Sequence, residues 1–150
     1  MADLRAGLIG ANIQRTRLPF VLQALCEIND IRLSFDLIDT ALIENFNFES
    51  CVNKRIDMGC AGVTVTHPYQ TAAAAFVGTL SGAPANMGAS NTLIFNDPNS
   101  AQGITAYNTD YTGFLAAWEA VLGDRKPGKV AMAGAGGVSR AIAIALIEMG

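Results

Sequence analysis

A glycine-rich segment near the end of the sequence has the residue types needed to bind a phosphate. The segment Gly134-Ala-Gly-Gly-Val-Ser-Arg140 follows the apolar run 129–133 and precedes residues with helical apolar spacing. A glycine turn between a buried strand and a helix lets the backbone approach a pyrophosphate, and the free N–H groups of the helix attract that anion. The turn therefore predicts a site for NAD or NADP, formed by Gly134, Ala135, Gly136, Gly137, Val138, Ser139 and Arg140.

The glycine turn also has a purely structural interpretation. Only its first two glycines match the pattern G-x-G-x-x-G, because Ser139 stands at the sixth position. Tight turns between a strand and a helix use glycine without any ligand as well. The acidic or basic residue that separates NAD from NADP is expected about 20 residues past the turn, beyond Gly150, so the choice of cofactor stays open.

Polar residues upstream of this turn could contact a small ligand, although each has an ordinary structural explanation. Asp110, in Asn108-Thr-Asp110, is either a reactive carboxylate or the N-cap of the predicted helix Tyr111–Leu122. Asn91 lies in a segment typical of a turn, and His67 precedes a proline, which favours a loop residue over a general base. Thr64 and Thr66 could form the polar face of a half-exposed strand.

Strand and helix signals alternate along the chain, which predicts an α/β fold. The predicted strands are Ala6–Ile9, Ile31–Ile38, Gly62–Thr66, Ser90–Phe95, Gly103–Tyr107 and Val130–Ala133. The predicted helices are Pro19–Glu27, Ile43–Met58 (stopped by Gly59), Tyr69–Thr79, Tyr111–Leu122 and one after the glycine turn. The predicted connections are a turn over Ser81–Pro84, a hairpin loop over Asn96–Ser100 and a linker over Gly123–Gly128.

This order of elements predicts two domains. We expect residues 1–108 to form an N-terminal α/β substrate-binding domain, and residues 109–150 to form a linker helix and the first strand, glycine turn and helix of a doubly wound (Rossmann) dinucleotide-binding domain. One strand and one helix cannot bury both faces of a sheet, so we expect the second domain to continue beyond Gly150.

The composition argues against several other classes of protein. The sequence is 51% hydrophobic and 15% charged, which suits a buried core and not a disordered chain. Its net charge of −3 and scattered basic residues argue against nucleic-acid binding. Three cysteines without metal-type spacing predict reduced thiols and no metal site. No signal peptide and no membrane-spanning run is evident, so we expect a cytoplasmic protein without a membrane partner; a homodimer stays open.

Five motifs, in order along nearly the whole chain, resemble the shikimate/quinate dehydrogenase family. They are Gly7-Leu-Ile-Gly10 with Thr16-Arg-Leu-Pro19, Gly62-Val-Thr-Val-Thr-His-Pro-Tyr69, Gly88-Ala-Ser-Asn-Thr92, Asn108-Thr-Asp110 with Gly113, and the glycine turn. The resemblance implies a substrate domain and an NAD(P) domain with a cleft between them. It also implies reversible hydride transfer between a nicotinamide and a cyclic hydroxy acid such as shikimate or quinate, and a place in aromatic amino acid biosynthesis.

The resemblance implies roles for individual residues. Thr16 matches the first of two hydroxyl residues that bind a substrate carboxylate, and Thr66 matches the threonine of the family's Asn-Val-Thr. Asn91 and Asp110 match the residues that hold ring hydroxyls, and Asp110 also belongs to the catalytic pair. Thr64, at the position of the family's asparagine, completes the expected substrate-binding set.

The sequence departs from the family where the chemistry takes place. Leu18 replaces the second carboxylate-binding hydroxyl residue, and Gln70 stands at the position of the catalytic lysine. Reduction of a ketone needs a proton donor or a positive charge beside the developing alkoxide, and an amide supplies neither. We therefore expect an oxidoreductase with diverged or weakened shikimate chemistry. The alternative is a non-catalytic NAD(P)- or metabolite-binding sensor that has kept the fold.

Overall fold

The structure is a computed structural model that describes residues 2–77, 83–96 and 103–150. It confirms the α/β fold. The strands are β1 (Ala2–Gly10), β2 (Ile31–Asp39), β3 (Gly62–Val65), β4 (Thr92–Phe95) and β5 (Ile104–Tyr107). The helices are α1 (Leu18–Ile28), α2 (Phe48–Asp57), α3 (Gln70–Val77), α4 (Ala83–Met87), α5 (Thr109–Leu122) and α6 (Gly137–Met149), with a 3₁₀ turn at Thr40–Leu42.

The strands form one five-stranded sheet in the order β2-β1-β3-β4-β5. β1 is parallel to β2 and β3, and β4 is antiparallel to β3 and β5. As a result, the carboxyl ends of β1, β2, β3 and β5 and the start of β4 lie at one edge of the sheet. The register places Gly10 beside Asp39, Thr64 beside Thr92, and Thr92 beside Tyr107. The residues that follow these strands are therefore brought together, although they are far apart in sequence.

The hydrophobic core lies between the sheet and the helices α2 and α3. Ile9, Val65 and Leu93 contribute from β1, β3 and β4, and Val52 and Ala73 contribute from the two helices; all five are at least 98% buried. Aromatic rings close one end of this core, where the ring of Phe48 stacks on Tyr69 with centroids 5.6 Å apart. The core thereby fixes α3, whose first residue is Gln70, against the sheet.

The predicted helix Ile43–Met58 is shorter than expected. It begins at Phe48 because the side chain of Asn47 accepts a hydrogen bond from the backbone N–H of Ser50, which makes Asn47 the N-cap. Just before this cap, Asn45 has a φ of +51°, a left-handed conformation that does not occur inside a right-handed helix. The end of the helix agrees with the prediction, because Gly59 follows it with a φ of +72°.

Two predictions near the last elements are wrong. The segment Val130–Ala133 is not a strand, because no strand among the described residues pairs with it, and a β-strand requires the hydrogen bonds of a neighbour. Asp110 is not the N-cap of α5. Asn108 has that role, since its side-chain oxygen accepts a hydrogen bond from the N–H of Tyr111 at 3.2 Å, and the helix begins at Thr109.

The remaining boundaries differ by a few residues. β3 ends at Val65 and β4 begins at Thr92, each slightly inside its prediction, and β4 and β5 pair as the expected hairpin. Ala83 and Pro84, expected in a turn, instead begin the short helix α4. The other predicted positions in 78–82 and 97–102 lie outside the described residues. None of the described helices has the length and apolar character needed to cross a membrane.

The close approach of β3 and β4 predicts a stability difference between two glycine substitutions. Gly62→Ala is expected to lower the free energy of unfolding by about 1–3 kcal/mol, because the new methyl group would overlap the backbone oxygen of Leu93. Gly113→Ala, on α5 with no atom within 4 Å of the new methyl group, is the matched control. It is expected to raise stability by about 0.5–1 kcal/mol. Urea unfolding of both variants measures the difference, and equal stability would contradict the packing of β3 on β4.

Candidate functional site

A cleft of about 540 Å³ lies at the edge of the sheet where these strand ends meet. The segments that leave β1, β3 and β5, together with the segment that enters β4, line it. All five predicted substrate-binding residues and the predicted catalytic Gln70 are among the lining residues: Thr16, Thr64, Thr66, Gln70, Asn91 and Asp110. The structure therefore brings together residues that are up to 94 positions apart in sequence.

Asn91 is buried, and its side chain is already engaged by the protein. Its Oδ1 accepts hydrogen bonds from the backbone N–H of Thr109 at 2.9 Å and from the hydroxyl of Thr92 at 3.0 Å. Its Nδ2 donates to the hydroxyl oxygen of Thr109 at 2.9 Å. Asn91 therefore fixes the start of α5 against the start of β4.

Asp110 lies in the first turn of α5, where the helix dipole favours a negative charge. The preceding N-cap, Asn108, is 3% exposed and donates through Nδ2 to the carbonyl oxygen of Ala89 at 3.1 Å. These contacts hold the first turn of α5 so that the carboxylate of Asp110 lines the cleft.

Gln70 connects Asp110 to the glycine turn. Its Nε2 donates a hydrogen bond to Oδ2 of Asp110 at 3.3 Å. Its Oε1 lies against the first residue of α6, because a Cβ atom built on Gly137 would overlap Oε1 of Gln70. Position 137 can therefore carry no side chain while Gln70 keeps this conformation.

A second cleft, of about 320 Å³, lies beside the first. Residues Ala135–Arg140 form one side of it, and the segment between β3 and α3 together with the first residues of α3 forms the other. Four residues line both clefts: Thr66, His67, Gln70 and Val138. The predicted cofactor residues and the predicted substrate residues are therefore adjacent, with Gln70 at their junction.

The glycine turn has a geometry that suits a phosphate. Gly134 has a φ of +117°, a conformation that favours glycine. Gly136 is the N-cap of α6 and has no side chain to accept from the first N–H groups of the helix, so these groups are available to an anion. A Cβ atom built on Gly136 would meet open space, and Arg140 is exposed one turn further along. These residues fit a dinucleotide pyrophosphate.

The two threonines expected to bind substrate are partly used by the backbone. The hydroxyl of Thr64 donates to the carbonyl oxygen of Gly7 on β1 at 3.2 Å. The hydroxyl oxygen of Thr16 accepts from the backbone N–H of Leu18 at 3.3 Å, which leaves its proton available for an acceptor in the cleft. Of the two, Thr16 is better suited to donate a hydrogen bond to an anionic ligand.

Sequence reasoning missed Asp39, which holds the loop between β1 and α1. This buried carboxylate accepts hydrogen bonds from the backbone N–H groups of Asn12 (2.8 Å), Ile13 (3.2 Å) and Ala41 (3.2 Å) and from Nε2 of Gln14 (3.2 Å). Burial raises the pKa of Asp39, but these hydrogen bonds outweigh burial and hold that pKa below its ordinary value of 3.8. An acidic residue at the carboxyl end of a predicted strand, at the same edge as Gly10, was the available signal.

The described part of the chain contains no candidate metal site. No group of three His, Cys, Asp or Glu side chains in 2–77, 83–96 and 103–150 could hold a metal ion. The three cysteines, Cys26, Cys51 and Cys60, form no disulfide with one another.

Comparison with protein families and curated relatives identifies what this chain is similar to. The family model for the shikimate dehydrogenase substrate binding domain matches residues 8–93. A quinate/shikimate dehydrogenase (NAD(+)) from Corynebacterium efficiens is 30% identical over 146 residues, which cover 96% of this chain and 50% of the relative. A shikimate dehydrogenase (NADP(+)) from Acidiphilium cryptum is 34% identical over 145 residues, which cover 97% of this chain and 50% of the relative. The chain thus spans about half the length of these relatives.

Solved structures show the same similarity. Quinate dehydrogenase from Corynebacterium glutamicum, in complex with NAD, superimposes with a TM-score of 0.88 and 29% identity, covering 100% of this chain and 53% of that one. Shikimate 5-dehydrogenase from Thermus thermophilus, in complex with NADP(H) and shikimate, gives a TM-score of 0.80 and 28% identity, covering 98% and 53%.

The hydrogen bonds to Asp39 predict that the difference in stability between the protein and its Asp39→Asn variant depends on pH. Asp39→Asn is expected to destabilise the protein above pH 3.8, because the amide presents an N–H₂ group to backbone donors. A carboxylate with a lowered pKa contributes stability above its ordinary pKa and loses that contribution as the pH falls through its folded-state pKa. The deficit of the variant should therefore shrink below pH 3.8.

Urea unfolding as a function of pH measures this effect, with Asp124→Asn, at an exposed position, as the control. If the loss of stability in Asp39→Asn stays constant down to the lowest pH, or if the control loses as much, the Asp39 carboxylate does not stabilise the loop between β1 and α1.

Proposed function

Because the chain belongs to the shikimate dehydrogenase family, we propose that its protein is an NAD(P)-dependent oxidoreductase, diverged at Gln70. It transfers hydride to or from a cyclic hydroxy acid. The observation that carries this proposal is the junction of the two clefts at Gln70, where the side chain lies between Asp110 and Gly137. Residues 1–108 act as the substrate domain, and residues 109–150 link it to the dinucleotide-binding unit.

The larger cleft binds the hydroxy acid. Thr66 and Asp110 offer hydrogen bonds to ring hydroxyls, and Thr16 offers its hydroxyl proton to the carboxylate. Asn91 offers the second N–H of its Nδ2, because the first is donated to Thr109 and Oδ1 already accepts from Thr92 and Thr109. Thr64 mainly forms part of the cleft wall, because its hydroxyl proton is already donated to the carbonyl oxygen of Gly7. A small polyol acid with several hydroxyls matches this set of short polar side chains.

The smaller cleft binds the dinucleotide. The pyrophosphate is held by the N–H groups at the start of α6, with the hydroxyl of Ser139 and the guanidinium of Arg140 beside it. When bound, NAD or NADP supplies or accepts the hydride. Gly136 permits close approach of the backbone, and Gly137 leaves the space that Gln70 fills.

The balance of protons shows what Gln70 changes. Oxidation of a secondary hydroxyl releases a hydride from carbon and a proton from oxygen, and the carboxylate of Asp110 can accept that proton. In the reverse direction, reduction of the ketone, the protonated carboxyl of Asp110 returns that proton to the developing alkoxide, because the amide of Gln70 can release none. Gln70 therefore orients Asp110 through its hydrogen bond, and the reaction lacks the positive charge and the second proton donor that the family's lysine provides.

The same observation favours a second candidate function. A site that binds both ligands but lacks the family's lysine would serve as a sensor of the metabolite or the dinucleotide. Such a protein would gain thermal stability with each ligand, because a ligand that binds only the folded state stabilises it, and it would turn over neither shikimate nor quinate.

Gln70→Lys is expected to raise turnover of shikimate by about 10²–10⁴-fold, because it restores a proton donor beside the reacting oxygen. The experiment uses the whole protein, with shikimate and quinate each assayed with NAD and NADP. Gln23→Lys adds the same charge on the exposed side of α1 and is the matched control, expected to leave turnover unchanged.

Rapid shikimate turnover by the unsubstituted protein, with no gain in Gln70→Lys, would contradict the proposed divergence. Thermal stabilisation by NADP and shikimate, with no turnover of either acid, would support the sensor.

A further inference from the structure

We propose that Arg15 binds the carboxylate of the ligand and so selects cyclic hydroxy acids over uncharged polyols. This inference rests on the proposed function, because it identifies the group that recognises the substrate class at the same cleft. Leu18 lacks the second hydroxyl that the family uses to bind the carboxylate, and the guanidinium of Arg15 takes over that contact.

Arg15 is the only lysine or arginine among the residues that line the larger cleft, and Asp110 is the only aspartate or glutamate among them. The neighbouring arginine of the same loop, Arg17, does not line this cleft. The cleft therefore has one fixed positive charge and one fixed negative charge, which lie on different elements.

Arg15 has no acidic partner within the described ranges 2–77, 83–96 and 103–150. The ion pairs there join Arg32 to Asp3 and Arg55 to Asp36. Asp39, the acid that contacts this loop, is occupied by hydrogen bonds from residues 12, 13, 14 and 41. Arg15 lines a ligand cleft and forms no ion pair with a carboxylate of the protein in those ranges. Its guanidinium is therefore suited to bind the carboxylate of a ligand.

The hydroxyl pair expected for the carboxylate is reduced to Thr16. Leu18 lines the cleft but offers no side-chain donor, and its backbone N–H is directed to the hydroxyl oxygen of Thr16 at 3.3 Å. One hydroxyl proton remains for two carboxylate oxygens. The planar guanidinium of Arg15, one residue away, has donors that match a carboxylate in a bidentate arrangement.

The two charges also orient the ligand. A carboxylate is repelled by Asp110 and attracted by Arg15, whereas ring hydroxyls can donate to Asp110. A ring with its carboxylate at one side and hydroxyls at the other satisfies both of these charges. The backbone N–H groups of Asn12 and Ile13 and the side chain of Gln14 donate to Asp39 and hold the loop just before Arg15, so the loop does not need to be ordered when the ligand binds.

The test compares Arg15→Gln with Arg17→Gln in the whole protein, by calorimetric titration with shikimate, quinate and the uncharged methyl ester of shikimate. A hydrogen bond to a charged group contributes about 1.5–3 kcal/mol. Arg15→Gln should therefore weaken shikimate and quinate binding by about 10–150-fold and change ester binding by less than about twofold. Arg17→Gln should leave all three affinities within about twofold, and Arg15→Lys should recover part of the loss.

The outcomes separate this inference from the proposed function. If the unsubstituted protein binds shikimate or quinate and both glutamine variants bind alike, the role of Arg15 is refuted while the proposed function stands. If the unsubstituted protein binds neither acid, both are refuted. Thermal unfolding of each variant confirms that affinity is compared between folded proteins.

Discussion

The hydrogen bonds of Asn91 are the constraint on which the rest of the site depends. Its backbone oxygen accepts from Val65 at the end of β3 (2.7 Å), and its backbone N–H donates to Tyr107 at the end of β5 (3.1 Å). Its side-chain oxygen accepts from Thr109 at the start of α5 (2.9 Å). Two segments from distant parts of the sequence, the end of β3 and the junction of β5 with α5, are thus held at fixed distances from one buried residue. A polar group buried in this way is costly unless all of these bonds form, so the arrangement forms as a unit.

This junction explains why Asp110 and Gln70 meet. Asn91 fixes the start of α5, which carries Asp110, next to the end of β3, and the segment after β3 leads directly into Gln70 at the start of α3. Gly137 then allows α6 to approach the same side chain. The amide of Gln70 donates a hydrogen bond to the carboxylate of Asp110 here, and an amide cannot transfer a proton to a ligand.

The sequence predicted the elements that have local signals. Gly59, which has a positive φ, follows the end of α2 as expected. Two strand patterns on either side of the turn-prone residues 96–100 predicted the hairpin of β4 and β5. It could not distinguish Asn108 from Asp110 as the N-cap of α5, since both residue types cap helices and they lie two positions apart. Only the position of the N–H of Tyr111 decides between them.

Features that depend on long-range contacts were beyond sequence reasoning. The strand expected at Val130–Ala133 has the right composition, but a strand forms only beside a partner, and composition carries no information about partners. Asp39 looks like an ordinary strand end, and its importance becomes visible only when the loop of residues 11–17 folds onto it. The candidate site residues lie around one cleft because of the order of the strands in the sheet. The five motifs in series indicated a common site, but they could not determine that strand order.

The most direct test of the proposed site is a crystal structure of the whole protein with NADP and shikimate bound. We predict that the pyrophosphate lies on the free N–H groups of residues 136–139 and that the ring hydroxyls of shikimate contact Asp110. The reacting carbon and the nicotinamide should then meet beside Gln70. Shikimate bound outside the cleft at the edge of the sheet, or a pyrophosphate bound away from the glycine turn, would contradict it.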